Sequence, residues 1–230
     1  MKTYRHLFFD LDHTLWDFEA NSRLTLEELF DEHQLYDTID SFERFFKTYN
    51  AINSQYWSRF HKGEISKDKL RYGRFIDSLR YFGVTDKLLA RTIADAYTQR
   101  SPFKTKLYAN AMETLEYLHQ KYPLHLITNG FSEVQYVKLT NSGIEHFFKN
   151  VFISDEVGFQ KPHAGIFLHA LQTAGSTAEE ALMIGDNMQT DILGAKACGI
   201  DQVYFNPRKQ RFTDRPTYVI NDLIELKSLL

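Results

Sequence analysis

The chain has 230 residues, 43% of them apolar, and a formal charge of −3, enough for one large domain or for a core carrying a smaller insert. The mildly acidic balance excludes the basic footprint of a nucleic-acid polymer binder, and the single cysteine, Cys198, excludes an intrachain disulfide framework. No apolar run approaches the roughly 20 residues of a membrane helix, so a cytoplasmic protein in a reducing setting is expected, with its oligomeric state unreadable.

The first apolar run is His6-Leu7-Phe8-Phe9. Continuous rather than alternating apolar character marks a strand buried on both faces. Asp10 stops it at once, so it is no signal-peptide core. The run leads into Asp10-Leu11-Asp12-His13-Thr14. An Asp-x-Asp pair alone is most often a surface turn. Directly after a buried strand, two charges need a partner such as a divalent cation, and magnesium prefers carboxylate oxygen.

From residue 17 to residue 98 no comparable strand occurs, and the pattern is helical. Phe18, Leu26, Leu29 and Phe30 form one stripe. Phe45, Phe46, Tyr49, Ile52, Tyr56, Trp57 and Phe60 form a second at spacings of three and four. Asp40 with Glu43 resembles a capping box at its start, and Gly63 can stop it. Tyr72, Phe75, Ile76, Leu79 and Phe82 form a third, closed by Gly83, and Ser101-Pro102 marks the return. Asn53 interrupts an apolar face one turn from Trp57. An amide beside an indole suits reading and stacking on a base; equally, Trp57, Tyr56 and Phe60 can be plain helical core.

After the insert, Leu124-Ile127, Val151-Ile153, Ala181-Ile184 and Gln202-Phe205 read as strands. They alternate with helices over Ala111–Gln120, Ser132–Ser142, Ala164–Ala174 and Asp191–Cys198. This predicts an α/β doubly wound parallel sheet, with 1–16 and 99–230 as its core and 17–98 as a helical insert. Ligands bind beyond the carboxyl ends of such strands, where Asp10, Thr128, Ser154, Asp186 and Asn206 stand. Thr128-Asn129-Gly130 offers a hydroxyl and backbone N–H groups ahead of a helix, a phosphate cradle or a plain turn. Lys161-Pro162 offers a cation for a carboxylate and a phosphate together, or only a solvated loop. Gly185-Asp186-Asn187 places Asp186 to complete a metal site with Asp10. Asp191 opens a helix, for which N-capping is a sufficient role. His13, His125 and Cys198 have no metal-ligand partner at useful spacing and read as structural.

The order Asp-x-Asp, Thr-Asn-Gly, Lys-Pro, Gly-Asp-x-x-x-x-Asp, each motif at its own strand end, resembles the haloacid dehalogenase-like (HAD) hydrolase superfamily. The insert resembles its helical C1-type cap. The resemblance implies a Mg²⁺-dependent phosphomonoester hydrolase. Asp10 would be the nucleophile that forms an aspartyl-phosphate, and Asp12 the general acid and base. Mg²⁺ would be held by the Asp10 carboxylate, the Asp12 backbone carbonyl and Asp186. Asp191 and Asn187 would support the site from behind, and Thr128, the Asn129 amide and Lys161 would hold the phosphoryl group. Asn129-Gly130-Phe131, Ile153 to Gly158 and Thr190 to Gly194 are similar to YjjG-type pyrimidine 5′-nucleotidases. So are Ala51-Ile52-Asn53, Trp57, Gly63 and Gly73-Arg74-Phe75. That branch implies a small-molecule nucleotide as substrate, with Asn53, Trp57 and Arg74 as the cap's contacts. Tyr108-Ala109-Asn110-Ala111 departs from the superfamily's usual Pro-Gly, though Asn110 can still cap the helix. The alternatives are a phosphatase for phosphoglycolate or a sugar phosphate, a phosphomutase, and a catalytically silent phosphate-ligand binder. A true dehalogenase would need neither Asp12 nor magnesium.

Overall fold

A computed structural model describes residues 3–230. The chain forms two compact units: residues up to Phe18 together with Thr105–Leu230, and Glu19–Lys104. The first contains strands β1 (His6–Phe9), β2 (Leu124–Thr128), β3 (Phe148–Ile153), β4 (Ala181–Gly185), β5 (Asp201–Phe205) and β6 (Tyr218–Ile220). In chain order the helices are α1 (Phe18–Glu32), α2 (Phe42–His61), α3 (Lys67–Tyr81), α4 (Lys87–Arg100), α5 (Ala111–His119), α6 (Ser132–Asn141), α7 (Ser154–Val157), α8 (Ala164–Ala174), α9 (Leu193–Ala197) and α10 (Leu226–Leu229).

The six strands form one parallel sheet in the order β3-β2-β1-β4-β5-β6, the α/β doubly wound arrangement expected. β1 is central: Phe9 pairs with Leu126 on one side and Ile184 on the other. Successive β1 side chains point to opposite faces. Leu7 and Phe9 pack with Leu115 and Leu118 of α5 and Leu139 of α6; Phe8 packs with Ile166 and Phe167 of α8 and Ala195 of α9. With helices on both faces, the strands read as unbroken apolar runs. The switch in strand order on either side of β1 leaves a crevice beyond its carboxyl end.

Three local expectations need correction in this unit. β6 has three residues and an exposed Val219, too little apolar pattern to be legible. The helix expected from Asp191 instead begins with a π-type turn, Met188–Ile192, capped by Asn187, whose Oδ1 accepts from the N–H groups of Gln189 and Thr190. Asp191 therefore lies inside that turn and does not serve as its N-cap. Asn110 has φ +60° and makes no side-chain cap; its amide donates to Asp222 instead.

In the helical unit, Leu26, Phe30, Phe45, Tyr49, Phe75, Leu79, Ile93 and Tyr97 form one buried cluster. Ser41, not an Asp40–Glu43 box, caps α2 by accepting from the Arg44 N–H, and Asp40 pairs with the Arg44 guanidinium. α4 buries Ala90, Ile93, Ala94 and Tyr97, a stripe half made of alanine and so not singled out in the sequence. No helix among the described residues is long and apolar enough to cross a membrane.

Candidate active site

β1 delivers Asp10 to the crevice, and β4, paired with β1 in register, delivers Asp186 beside it. Asp191 arrives from the π-type turn. One carboxylate oxygen from each of the three lies within 4.8 Å of the others. Thr14 bridges the first two: its Oγ1 is 3.2 Å from Asp10 Oδ2 and 3.3 Å from Asp186 Oδ1. The Lys161 ammonium donates to Asp10 Oδ1 (2.6 Å), Asp191 Oδ1 (2.7 Å) and the Ile127 carbonyl (2.8 Å), which uses all three of its N–H bonds.

Burial, reinforced by the neighbouring Asp191 and Asp12 charges and opposed by Lys161, pushes the Asp10 carboxyl up to about 7. Burial and then Asp10 and Asp191 raise Asp186 well above the usual carboxylate range. Lys161 is held up by Asp10 and Asp191 against the pull of its own burial. Three acids thus share one ammonium. The surplus negative charge and the oxygen-only donor set fit a hard divalent cation such as Mg²⁺.

The surrounding loops are tied to these groups. The Asn129 side chain accepts from the Lys161 N–H (2.7 Å) and donates to the Lys161 carbonyl (2.8 Å), so Asn129 fixes the loop that carries Lys161. Asp191 accepts from the Asn187 N–H at 3.0 Å. Gly185 is required where it stands, because a Cβ there would overlap the Asp191 carboxylate.

Asp12 has partners of its own. Its Oδ1 accepts from Lys138 Nζ (2.6 Å) and its Oδ2 from Gln135 Nε2 (2.8 Å). Gln135 Nε2 also donates to Thr128 Oγ1 at 2.6 Å. Burial alone would raise the Asp12 carboxyl, but the Lys138 charge and these two hydrogen bonds bring it below its ordinary value. Thr14, Gln135 and Lys138 were not among the site residues expected from the sequence. Thr14 stands within the quoted Asp-x-Asp segment. Gln135 and Lys138 share one helix face at i, i+3, a spacing with no meaning until α6 is seen to bury it.

The chain matches the haloacid dehalogenase-like hydrolase family over residues 4–199. It belongs to that family. It is 33% identical to the HAD-hydrolase YfnB of Bacillus subtilis over all of this chain and 97% of YfnB. A crystal structure of YfnB bound to magnesium superposes with a TM-score of 0.89 over 99% of both chains. The pyrimidine 5′-nucleotidases PynA of Streptococcus pneumoniae and YjjG of Escherichia coli are each 32% identical. They cover 99% and 97% of this chain, and 95% and 96% of their own lengths. More distant relatives are named as phosphatases of glyceraldehyde 3-phosphate and ribulose 1,5-bisphosphate. This chain is therefore an enzyme of the HAD phosphatase class.

The remaining expected residues of this HAD-like hydrolase are placed as follows. His13, with φ +66°, lines a cleft beside Asp186 with Tyr108, Tyr204, Asn206 and Arg208. Burial lowers the His13 imidazole to about 4, so it is neutral there. His125 is enclosed within the sheet, with Nε2 3.1 Å from His6 Nδ1 and Nδ1 3.0 Å from Asn150 Nδ2. Cys198 is a half-buried thiol raised by burial. In the helical unit, Asn53 accepts from the Arg74 guanidinium at 2.7 Å. Both side chains are buried, and Arg74 Nε has no hydrogen-bond partner. The Arg74 guanidinium lies over the Phe75 and Tyr97 rings, 5.2 and 5.4 Å from their centroids. Trp57, half-buried, packs against Phe60 and His61.

Proposed function

We propose that this enzyme is a Mg²⁺-dependent phosphomonoesterase that attacks phosphorus with Asp10, and that its substrates are pyrimidine nucleoside 5′-monophosphates. The observation that carries the chemistry is Asp10 itself: a carboxylate at the end of the central strand, held at 2.6 Å by Lys161 and grouped with Asp186 and Asp191. One Asp10 oxygen forms a bond to phosphorus as the bond from phosphorus to the ester oxygen breaks. Asp12 gives a proton to the departing alkoxide. Asp12 then takes a proton from water as the water oxygen attacks phosphorus. The bond to Asp10 breaks, inorganic phosphate leaves and the Asp10 carboxylate is restored.

The Asp10 and Asp186 carboxylates and the Asp12 backbone carbonyl would hold Mg²⁺, with Asp191 and Asn187 supporting them. When bound, the ion polarises phosphoryl oxygens and offsets charge on them. Thr128, the Asn129 amide and Lys161 hold the transferring group, since phosphoryl transfer rests mainly on positioning and charge stabilisation.

In this reading residues 17–98 act as the cap and select the ester. Support comes from two full-length relatives that are named pyrimidine 5′-nucleotidases and from Arg74. A buried guanidinium with no carboxylate partner among the described residues is costly unless an acceptor meets it, and the carbonyl oxygens of a pyrimidine are acceptors. The alternative, a sugar- or triose-phosphate phosphatase, rests on the more distant relatives. The test is phosphate release with Mg²⁺ across UMP, dUMP, dTMP, purine nucleotides, sugar phosphates and phosphoglycolate. The nucleotidase reading expects pyrimidine monophosphates to lead in kcat/KM; a sugar phosphate in first place overturns it.

A further inference from the structure

α6 uses its buried face unusually. Val134 and Val137 remain half-exposed, while Gln135 is fully buried and Lys138 is 5% exposed. An ordinary amphipathic helix would do the reverse. Burying an amide and an ammonium is unfavourable unless each is paired, and here the Lys138 ammonium and the Gln135 Nε2 are both paired to one side chain, while Gln135 Oε1 has no partner. Lys138 takes Asp12 Oδ1 and Gln135 takes Asp12 Oδ2. The Lys138 ammonium also lies 4.3 Å from the centroid of the Trp16 ring, at the far end of the loop that begins at Asp12. Gln135 Nε2 reaches Thr128 Oγ1 with the same amide group. Its place depends on Gly130, where any Cβ would collide with the Gln135 amide.

We propose that Lys138 and Gln135 are positioning residues for Asp12, fixing its carboxylate by both oxygens and coupling its placement to the phosphate-side hydroxyl of Thr128. This rests on the reading of Asp12 as acid and base. A carboxylate held at both oxygens has its rotamer set from outside the reacting atoms. Proton delivery then depends on a helix that touches neither phosphorus nor metal. Gln135 makes the link between the two functions: displacing its amide frees Asp12 and Thr128 together.

The test uses Lys138→Met and Gln135→Met, which keep side-chain volume and remove the polar head, with Lys138→Arg as the conservative variant. Each is assayed on dUMP, whose alcohol is a poor leaving group, and on p-nitrophenyl phosphate, whose phenol needs little protonation. A misplaced acid lowers kcat for dUMP by about 10- to 100-fold, the range of lost positioning contacts. It lowers the rate of nitrophenol release in a single turnover much less. KM changes little, and Lys138→Arg recovers part of the loss. Asp12→Asn is the control. If Asp12→Asn keeps full turnover on dUMP, the acid–base reading fails, and the positioning role with it. If Asp12→Asn is inactive on dUMP while Lys138→Met matches the wild type, or lowers both substrates equally, only the positioning proposal is overturned. Should Lys138→Met fail to fold, Lys138→Gln, which keeps a polar head without the charge, decides the same point.

Discussion

The strand-end site and the helical unit handle buried polarity in opposite ways. At the end of β1 the reactive groups are interlocked: Lys161 makes three bonds, Asp12 is held at both oxygens, and Asn129 grips the Lys161 loop from two sides. In the helical unit the buried Asn53–Arg74 pair leaves the Arg74 Nε without a partner. A densely bonded network specifies one geometry, as positioning a phosphoryl group requires. A buried donor left over is suited to a ligand acceptor. On the proposed reading the chemistry rests on the network and the substrate choice on the Asn53–Arg74 pair, and the two should respond differently to substitution.

The largest effect is expected at the nucleophile. Asp10→Asn cannot attack phosphorus, so kcat should fall by more than about 1,000-fold on every substrate while circular dichroism stays native. Substantial residual turnover would end the covalent mechanism. Next comes the cation site. Asp186→Ala should lower Mg²⁺ affinity by about 10- to 100-fold, read from activity against metal concentration and by calorimetry. Full activity of the wild type after thorough chelation would remove the metal from the account. Trp57→Ala should act on one substrate class only. If the indole stacks on a base, worth about 1–3 kcal/mol, kcat/KM for dUMP drops roughly 5- to 150-fold, at about 1.4 kcal/mol per tenfold. The value for p-nitrophenyl phosphate should hold. Equal losses on both would make Trp57 helical packing and nothing more.

The smallest effect is on stability and lies in the sheet. Burial lowers the His125 imidazole to about 4, against about 6.5 in an unfolded chain. The unfolded state therefore binds a proton first as pH falls. His125 leaves stability intact above pH 6.5 and erodes it as the pH drops toward 4, by about 1 kcal/mol between pH 7 and 5.5. Urea unfolding of His125→Asn beside the wild type should show a flatter acid limb for the variant; parallel limbs would clear the histidine.

The core strands and the order of their motifs were legible because a strand buried on both faces is an unbroken apolar run, and the residue ending it stands out when charged. Asp10 and Asp186 were visible for that reason. Lys161 was read as a cation for a carboxylate and it meets Asp10, but its bonds to Asp191 and to the Ile127 carbonyl left no mark in the sequence. Asp191 could be read either as support for the site or as a helix N-cap; Asn187 is the cap, since either residue type caps a helix and only the geometry chooses. Gln135 and Lys138 stayed hidden because polar residues on a helix normally face water. Their burial follows from Gly130 and from the direction in which Asp12 turns, both long-range facts. β6 was too short, and α4 too rich in alanine, to leave a pattern.

The central place of β1 also governs the order in which the protein can be assembled. Its partners enter the chain about 115 and 170 residues after it ends, at Leu124 and Ala181. At about 5–20 residues per second of synthesis, the strand carrying Asp10 waits roughly ten to thirty seconds for its second neighbour. Until then His6-Leu7-Phe8-Phe9 is an apolar segment with both edges open, the kind of segment that pairs with the wrong chain. About half of the residues made during that wait are Glu19–Lys104, a compact unit with its own buried cluster. That unit can gather its apolar stripes while β1 still waits, so the strand that carries Asp10 is among the last parts of the early chain to be buried.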